Sequence, residues 1–302
     1  MKDFKGGTAV ITGAASGFGL EVSRIAAGLG MNIVMADVQQ EALTKAAAEI
    51  TGLGAQVLPY RLDISKAAEV EAMGAATLER FGAPNFVFNN AGVCGGGLVW
   101  ESSVKDWEWV LGVNLMGVVH GVRVFTPMML DAARKDPSYR GHIVNTASMA
   151  GLLAAPNMGV YTVSKHAVVA LSETLYQDLN LVTDQIHASV LCPYFVPTGI
   201  ADSARNRPAD LSEDKPQTKS QLIGRAMASK AVSSGKVTAV TIAESVFDAI
   251  REERFYIYSH AHALAGVKVR MEDLLEGRNP SDPFAARPEV GAELRKALRS
   301  AD

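Results

Sequence analysis

The chain has 302 residues, 48% of them apolar and 20% charged, with a net charge of −3 and a pI near 6.1. This is a globular composition, long enough for one large domain or two small ones, with no electrostatic reason to expect a nucleic acid or an anionic membrane as partner. Cys94 and Cys192 form no C-x-x-C pair, the first seven residues lack the apolar core of a secretory leader, and no run of eighteen apolar residues occurs, so a cytoplasmic protein without a membrane span is expected.

Thr8-Ala9-Val10-Ile11-Thr12 is a short apolar run of the kind that forms a buried strand. Gly13-Ala14-Ala15-Ser16-Gly17-Phe18-Gly19 follows, and then a helical pattern over 20–29. Strand, glycine-rich turn and helix in that order suit a dinucleotide. The glycines let the backbone turn tightly and approach a pyrophosphate, which sits at the positive end of the helix. The spacing is G-x-x-x-G-x-G rather than G-x-G-x-x-G, so a plain glycine turn stays open. The next strand, 32–36, ends in Asp37, where a carboxylate can accept hydrogen bonds from the adenosine ribose and repel a 2′-phosphate. Neither Ser16 nor Val38 is basic, which favours NAD. Asp37 and Gln40 also read as a capping-box-like pair opening a helix over 39–50, and the two roles are compatible.

Alternation continues with a strand over 56–62 closing on Asp63, a helix over 66–81, and a strand over 86–88 leading to Asn89-Asn90-Ala91-Gly92. A long helical stretch, 104–130, is interrupted around Gly112-Val113-Asn114. The strand over 143–146 delivers Ser148, the helix over 160–181 carries Tyr161 and Lys165, and the strand over 186–191 ends at Cys192-Pro193. Thr241 and Glu244 read as a capping box for a helix to Arg251, before a last strand over 255–258. Strands separated by helices make an α/β protein with a doubly wound parallel sheet, a Rossmann-type three-layer sandwich, and ligands gather past the strands' carboxyl ends. Residues 1–260 form one domain on this reading. Within it, the polar stretch 199–236 is a mobile lid, and 261–302 is a C-terminal extension packed on the same domain.

Tyr161 and Lys165 lie four residues apart, on one helix face. A free phenol has a pKa near 10. An ammonium roughly 4 Å away, in an effective dielectric of about 20, favours the phenolate by about 4 kcal/mol, or roughly 3 pKa units. That brings a tyrosine towards working pH, where general acid–base catalysis is most efficient. Any amphipathic helix can carry such a pair, and the weight comes from the motifs before it.

Thr12-Gly13…Gly17-Phe18-Gly19, Asp63, Asn89-Asn90-Ala91-Gly92, Asn114, Ser148 and Tyr161…Lys165, in this order and spacing, resemble the short-chain dehydrogenase/reductase family over roughly 8–198 and 241–258. The resemblance implies a catalytic tetrad of Asn114, Ser148, Tyr161 and Lys165, with NAD as cofactor. It implies cofactor contacts from Gly13, Ser16, Gly17, Phe18 and Gly19, and from Asp37, Asp63 and Ile64 on the adenosine side. Asn90, Ala91, Gly92, Tyr161 and Lys165 would follow, with Pro193, Val196 and Thr198 at the nicotinamide end. One departure is Tyr194, which puts bulk where the family has glycine after the proline. In these roles Tyr161 moves the proton, Lys165 tunes it and holds the nicotinamide ribose, Ser148 bonds the reacting oxygen, and Asn114 holds a proton-relaying water. For Asn114 a local bend with a satisfied amide is the alternative.

The expected activity is NAD-dependent interconversion of an apolar secondary alcohol and its ketone. The alternatives are a non-catalytic dinucleotide sensor and an epimerase or dehydratase acting through transient oxidation. Leu98, Met149, Leu152, Leu153, Met158, Tyr194 and Phe195 are expected round the nicotinamide, with Gly95-Gly96-Gly97 leaving space and Ile200, Leu222, Ile223 and Met227 closing from the lid. These predict an uncharged substrate rather than a carboxylate or a sugar phosphate. Arg205, Arg207 and Arg225 are the lid residues that would pair with an acid if they folded in. Trp100, Trp107 and Trp109 should pack at the start of the long helix, with Trp100 in reach of the pocket. No metal is expected: His260 and His262 have no cluster of further ligands in sequence. Cys94 reads as a packing residue. A homodimer or homotetramer is expected, partly from the resemblance and partly because the helices over 104–130 and 160–181 are apolar round more of their circumference than one covered face needs.

Overall fold

Seven short strands carry the apolar runs: β1 (Thr8–Thr12), β2 (Asn32–Asp37), β3 (Val57–Arg61), β4 (Phe86–Asn89), β5 (Gly141–Thr146), β6 (Ile186–Cys192) and β7 (Tyr256–Tyr258). A computed structural model of the chain describes residues 1–212 and 216–300, so 213–215 of the expected lid and 301–302 of the expected extension lie outside the described residues. The strands form one sheet in the order β3-β2-β1-β4-β5-β6-β7, and every neighbouring pair is parallel. Every residue of β1, β4 and β5 is buried, which is why these strands read as near-continuous apolar runs instead of alternating ones.

Successive side chains still go to opposite faces. Ala9, Ile11, Ile33, Met35, Phe86 and Phe88 join one core, whereas Val10, Val34, Ala36 and Val87 join the other. The first core is covered by α1 (Gly17–Gly28) and α2 (Gln40–Gly52), with Ile242, Val246, Phe247 and Ile250 from a later helix. The second is covered by α3 (Ala67–Phe81), by α5 (Gly117–Lys135), which follows α4 (Val104–Leu111), and by α6 (Gly159–Val182). Then come α7 (Lys219–Ser233), α8 (Ala239–Glu252), which is the later helix of the first core, α9 (Leu264–Glu276) and α10 (Pro288–Arg299).

Three local expectations change. The long helix runs on to Lys135, and its interruption is a π-helical turn, Gly112–Met116, centred on Asn114. The residue preceding α8 is Thr238, whose hydroxyl accepts from Thr241 N at 3.1 Å, so Thr241 and Glu244 lie inside the helix rather than capping it. Gln39, not Asp37, stands at the N-cap of α2. By length and composition the stretch 104–135 contains a window that would pass for a membrane span, but half of that window is buried inside the protein.

The order of the strands reverses between β1 and β4, and the ligand crevice of a doubly wound sheet opens at such a reversal. Gly13 and Asn90 follow the carboxyl ends of these two strands.

Candidate active site

The crevice begins where α1 meets the sheet. Gly13 and Gly17 have φ of +65° and +54°, in the left-handed region that favours glycine. A Cβ at Gly19 would lie 2.1 Å from Gly13 O, so the first turn of α1 can close on the strand only with glycine there. Ser16, at the N-cap, makes no side-chain cap, and no acidic residue occupies the first turn. The amide groups of that turn are left for an external anion. Asp37 sits across from them at the end of β2. Its Oδ2 accepts from Ala15 N at 3.1 Å and its Oδ1 from Gln39 N at 3.0 Å, so the carboxylate is fixed as a local turn acceptor rather than as half of a capping box. Arg61 is the register partner of Asp37 on β3 and lines the same crevice. It is the basic residue that reading Ser16 and Val38 alone missed, because the partner strand lies more than twenty positions away.

On the other side of the reversal, the Thr12 hydroxyl accepts from Asn90 N at 2.9 Å and Ala91 N at 3.1 Å, and Asn90 Nδ2 donates to Thr12 O at 3.0 Å. These bonds hold the 90–92 loop beside the glycine turn. Asp63 Oδ1 accepts from Ser65 N and Oγ at 3.0 and 2.7 Å, presenting Ile64 to the crevice. Pro193, Val196 and Thr198 line its far wall, with a Thr198 methyl 3.5 Å from the position of a Cβ on Gly17. Of the residues the sequence assigns to cofactor or catalysis, only Gly19 and Asn114 lie behind this surface rather than on it.

Asn114 is fully buried. Its Oδ1 accepts from Val93 N at 2.8 Å, and its Nδ2 donates to Val93 O at 2.9 Å and Ser164 Oγ at 3.1 Å. Ser164 in turn donates to Tyr161 O at 2.7 Å. The amide thus ties the loop after β4, the π-helical turn and the first turn of α6 into one unit. Lys165 is buried, and its Nζ donates to Thr146 O at 2.8 Å, at the carboxyl end of β5. Burial lowers its pKa to about 8, with Cys192 and Cys94 opposing. The Ser148 hydroxyl accepts from Ala150 N at 3.1 Å and donates to Pro193 O at 3.4 Å.

The expected depression of the Tyr161 pKa by Lys165 is corrected by this geometry. Nζ lies 5.9 Å from the ring centroid and is committed to Thr146. Burial dominates and pushes the Tyr161 phenol above its ordinary range, Cys94 adds to the shift, and the Ser148 hydroxyl opposes it. At neutral pH Tyr161 is therefore a protonated phenol, ready to donate. Cys94 lines the same wall, but burial raises its thiol to about 11, which leaves it a poor nucleophile at neutral pH.

The cleft widens outward to a volume of about 1760 Å³. Met149, Leu153, Met158, Tyr194, Phe195, Ile200, Ile223 and Met227 line it as expected. Leu98, Leu152 and Leu222 do not: Leu152 is buried in a core, and Leu222 faces solvent on the outer side of α7. Gly95-Gly96-Gly97 leave space for a helix rather than for substrate. Positions for a Cβ on Gly96 and Gly97 lie 3.5 Å from Gly224 Cα and 2.8 Å from Gln221 Cγ, so α7 seats directly on this loop. The seat is bonded through Leu98 N to Ser220 Oγ at 2.9 Å, Asn157 Nδ2 to Ser220 O at 3.0 Å, and Ser220 Oγ to Glu101 at 2.6 Å. Arg205 lines the cleft, but all three lid arginines are engaged by protein groups. Arg205 donates to Gly199 O and Asp202 O, Arg207 pairs with Asp106 at 2.6 Å over the Trp109 ring, and Arg225 pairs with Asp202 at 3.3 Å. Trp109 is in the wall, whereas Trp100 is exposed.

Tyr194 is held at the inner end, with its N donating to Ser259 Oγ at 2.8 Å and its ring between Phe195 and the edges of His260 and His262. Among the described residues no three His, Cys, Asp or Glu side chains gather as metal ligands. What the sequence reading missed is the C-terminal extension: His262, Gly266, Val269, Arg270, Val290 and Leu294 all face the cleft. The sequence reading packs 261–302 on the same domain but assigns none of it to the cleft.

A family model described as "short chain dehydrogenase" matches residues 7–209. A "CLA biosynthesis dehydrogenase/reductase" of Lactiplantibacillus plantarum is 36% identical over 263 residues, covering 86% of this chain and 90% of that protein. A "C alpha-dehydrogenase" of a Sphingobium species is 32% identical over 296 residues, covering 97% and 93%. The crystal structure of a short-chain dehydrogenase/reductase from Burkholderia phymatum in complex with NAD superposes with a TM-score of 0.91 at 50% identity, covering 94% of this chain and all of that one.

Proposed function

Because this chain belongs to the short-chain dehydrogenase family, we propose that it interconverts an apolar secondary alcohol and its ketone with NAD, and that Tyr161 is the general acid and base. The observation that carries this reading is the convergence of the Tyr161 phenol, the Ser148 hydroxyl and a buried Lys165 on one apolar cleft beside the glycine turn.

The residues present fit a nicotinamide dinucleotide. Uncapped amide groups open α1, glycine alone is tolerated at position 19, and the Asp37 carboxylate keeps acceptor capacity for ribose hydroxyls. The relative from Burkholderia phymatum was solved with NAD, which supports the same cofactor here. Gly13, Ser16, Gly17 and Phe18 would hold the pyrophosphate, Asp37, Asp63 and Ile64 the adenosine, and Asn90, Ala91, Gly92, Lys165, Pro193, Val196 and Thr198 the nicotinamide half. When bound, the cofactor supplies hydride transfer.

The chain's own residues handle the oxygen and the proton. Ser148 donates to the substrate oxygen and fixes its place. In reduction Tyr161 gives its proton to the developing alkoxide; oxidation is the reverse transfer, through the deprotonated phenol, and with the phenol raised by burial it gains as the pH rises. Lys165, held by Thr146, carries the positive charge under the ring. Asn114 positions Tyr161 and the 90–93 loop through Ser164 and Val93. The apolar walls suit a cyclic or aromatic substrate, and the 199–236 segment is read as a lid that excludes water over it. The outer apolar residues Val104, Met116 and Val163 suit a homodimer or homotetramer built on α4 to α6.

A panel of secondary alcohols with NAD and NADP, followed through cofactor absorbance, tests the proposal. Turnover of cyclic or aryl alcohols with NAD is expected, and the absence of any stoichiometric NADH formation would sink it.

A further inference from the structure

The cleft does not end at the reacting groups. It continues between α7, α9 and α10 to residues near the end of the chain, among them Val290, Leu294 and Ala297. A small cyclic ketone beside Tyr161 would leave that outer part unused. On α9, Gly266, Arg270 and Asp273 follow at i, i+4 and i+7, so one stripe of the helix faces the cleft. Gly266 meets the inner wall, since a Cβ there would lie 3.3 Å from Leu153 Cδ2. Arg270 stands one turn farther out, about 6 Å along the axis.

We propose that Arg270 binds an anionic group at the far end of the substrate, so that the substrate is an amphiphile with its hydroxyl or keto group at Tyr161, an apolar body between, and an acid at the cleft mouth. This rests on the alcohol–ketone reading of the site, and it departs from the expectation of a wholly uncharged molecule. The charge belongs to the remote end, and the reacting end stays apolar.

Three observations support it. Arg270 is half-buried in the cleft wall, and among the described residues it has no hydrogen bond, ion pair or ring contact. A guanidinium partly stripped of water and left unpaired gains more from a carboxylate or phosphate than a solvated one does, and its planar fork fits either in bidentate fashion. Next, the nearby carboxylate is taken. Asp273 accepts from Ser281 N at 2.9 Å and Ser281 Oγ at 3.2 Å and pairs with Arg278 at 3.3 Å. Last, Lys230 and Arg287 also line the cleft without an ion pair among the described residues, whereas of the tail's other lining carboxylates Asp282 is paired with Arg295, which leaves Glu293. Val269, Ile223, Met227 and Leu153 line the same cleft as Arg270 and Tyr161, with no charge among them.

The test is binding, not turnover, so that its failure is distinguishable from failure of the alcohol–ketone reading. Laurate, dodecyl phosphate and 1-dodecanol are titrated by calorimetry into the full-length protein saturated with NADH. At least one anion should bind about tenfold tighter than the alcohol, as expected for a charge-assisted bidentate contact. Arg270→Met should bring the three ligands within about twofold of one another while leaving 1-dodecanol and NADH binding unchanged, and Arg270→Lys should restore part of the preference. Arg287→Met and Lys230→Met should keep it. Equal binding of anions and alcohol to the wild type, no binding of any of them, or a preference that survives in Arg270→Met would each overturn the proposal.

Discussion

Replacing Lys165 by methionine keeps the length of the side chain and removes the buried charge, and its effect on stability follows from the site. In the folded protein burial lowers the lysine pKa from 10.5 to about 8. A base whose pKa falls on folding binds fewer protons in the native state between those two values. Its charge therefore destabilises the fold fully below about pH 8, and the penalty fades as the pH climbs towards 10.5. At 1.36 kcal/mol per unit, the penalty at neutral pH is about 3 kcal/mol. Methionine removes it, but it also leaves Thr146 O without its donor, which costs about 1–3 kcal/mol. The variant should thus be as stable as the wild type at pH 7, or more stable, while losing activity. The sharper readout is the pH dependence of the difference, in which the orphaned carbonyl and all other titrating groups cancel to first order. Between pH 7 and 10 the wild type should gain about 2.5 kcal/mol on the variant, on the order of 4 °C in Tm for a chain of this size. Thermal or denaturant unfolding of the two cofactor-free proteins at four pH values measures it. A difference that stays flat from pH 7 to 10 would show that burial does not hold Lys165 below its ordinary range, and the buried-charge reading of the site would fail with it.

Asp37→Ala should erode the preference for NAD by removing a repulsion and a ribose acceptor, and Arg61 then stands ready to receive a 2′-phosphate; equal use of NADP by the unmodified protein would contradict the role of Asp37. Gly224→Val would place a Cβ 3.0 Å from Asn157 Nδ2 and 3.2 Å from Gly97 N, lifting α7 from its seat. The KM for the alcohol should rise several-fold with little change in that for NAD, and a KM for the alcohol that stayed put would mean that α7 does not wall the substrate. Val104 is 73% exposed, and Met116 and Val163 lie open on the same side as the long helices, so sedimentation at micromolar concentration should show a dimer or a tetramer and not a monomer.

The nucleotide half was legible because its determinants are local. A buried parallel strand needs an apolar run, a tight approach needs glycine, and both leave marks within a dozen residues, as 8–19 do. The Tyr161–Lys165 pair was legible as a spacing, but its electrostatics were not. The direction of the phenol shift is set by burial, with Cys94 adding to it and Ser148 opposing, and the fold alone brings these together round Tyr161. Asn114 announced a break in a helix, yet the saturation of its amide by Val93 and Ser164 is a tertiary fact. Gly95-Gly96-Gly97 misled for a physical reason. Absence of side chains means room for something, and sequence does not say whether that is a substrate or a helix more than a hundred positions later. The capping assignments at 37–40 and 241–244 erred by two or three residues, within the range where several polar side chains compete for the same free amides. The extension past 261 closes the cleft through contacts that no local pattern encodes.

The central claim is that Tyr161 moves the proton while other groups hold the cofactor, and one comparison tests it most directly. Tyr161→Phe removes the hydroxyl and leaves the ring, so NADH titration should give nearly the wild-type affinity, while kcat with the best alcohol of the panel should fall by about 10²–10⁴-fold. A variant that keeps even a tenth of the wild-type rate with intact NADH binding would show that the proton leaves by another route, and the assignment of the site would be wrong.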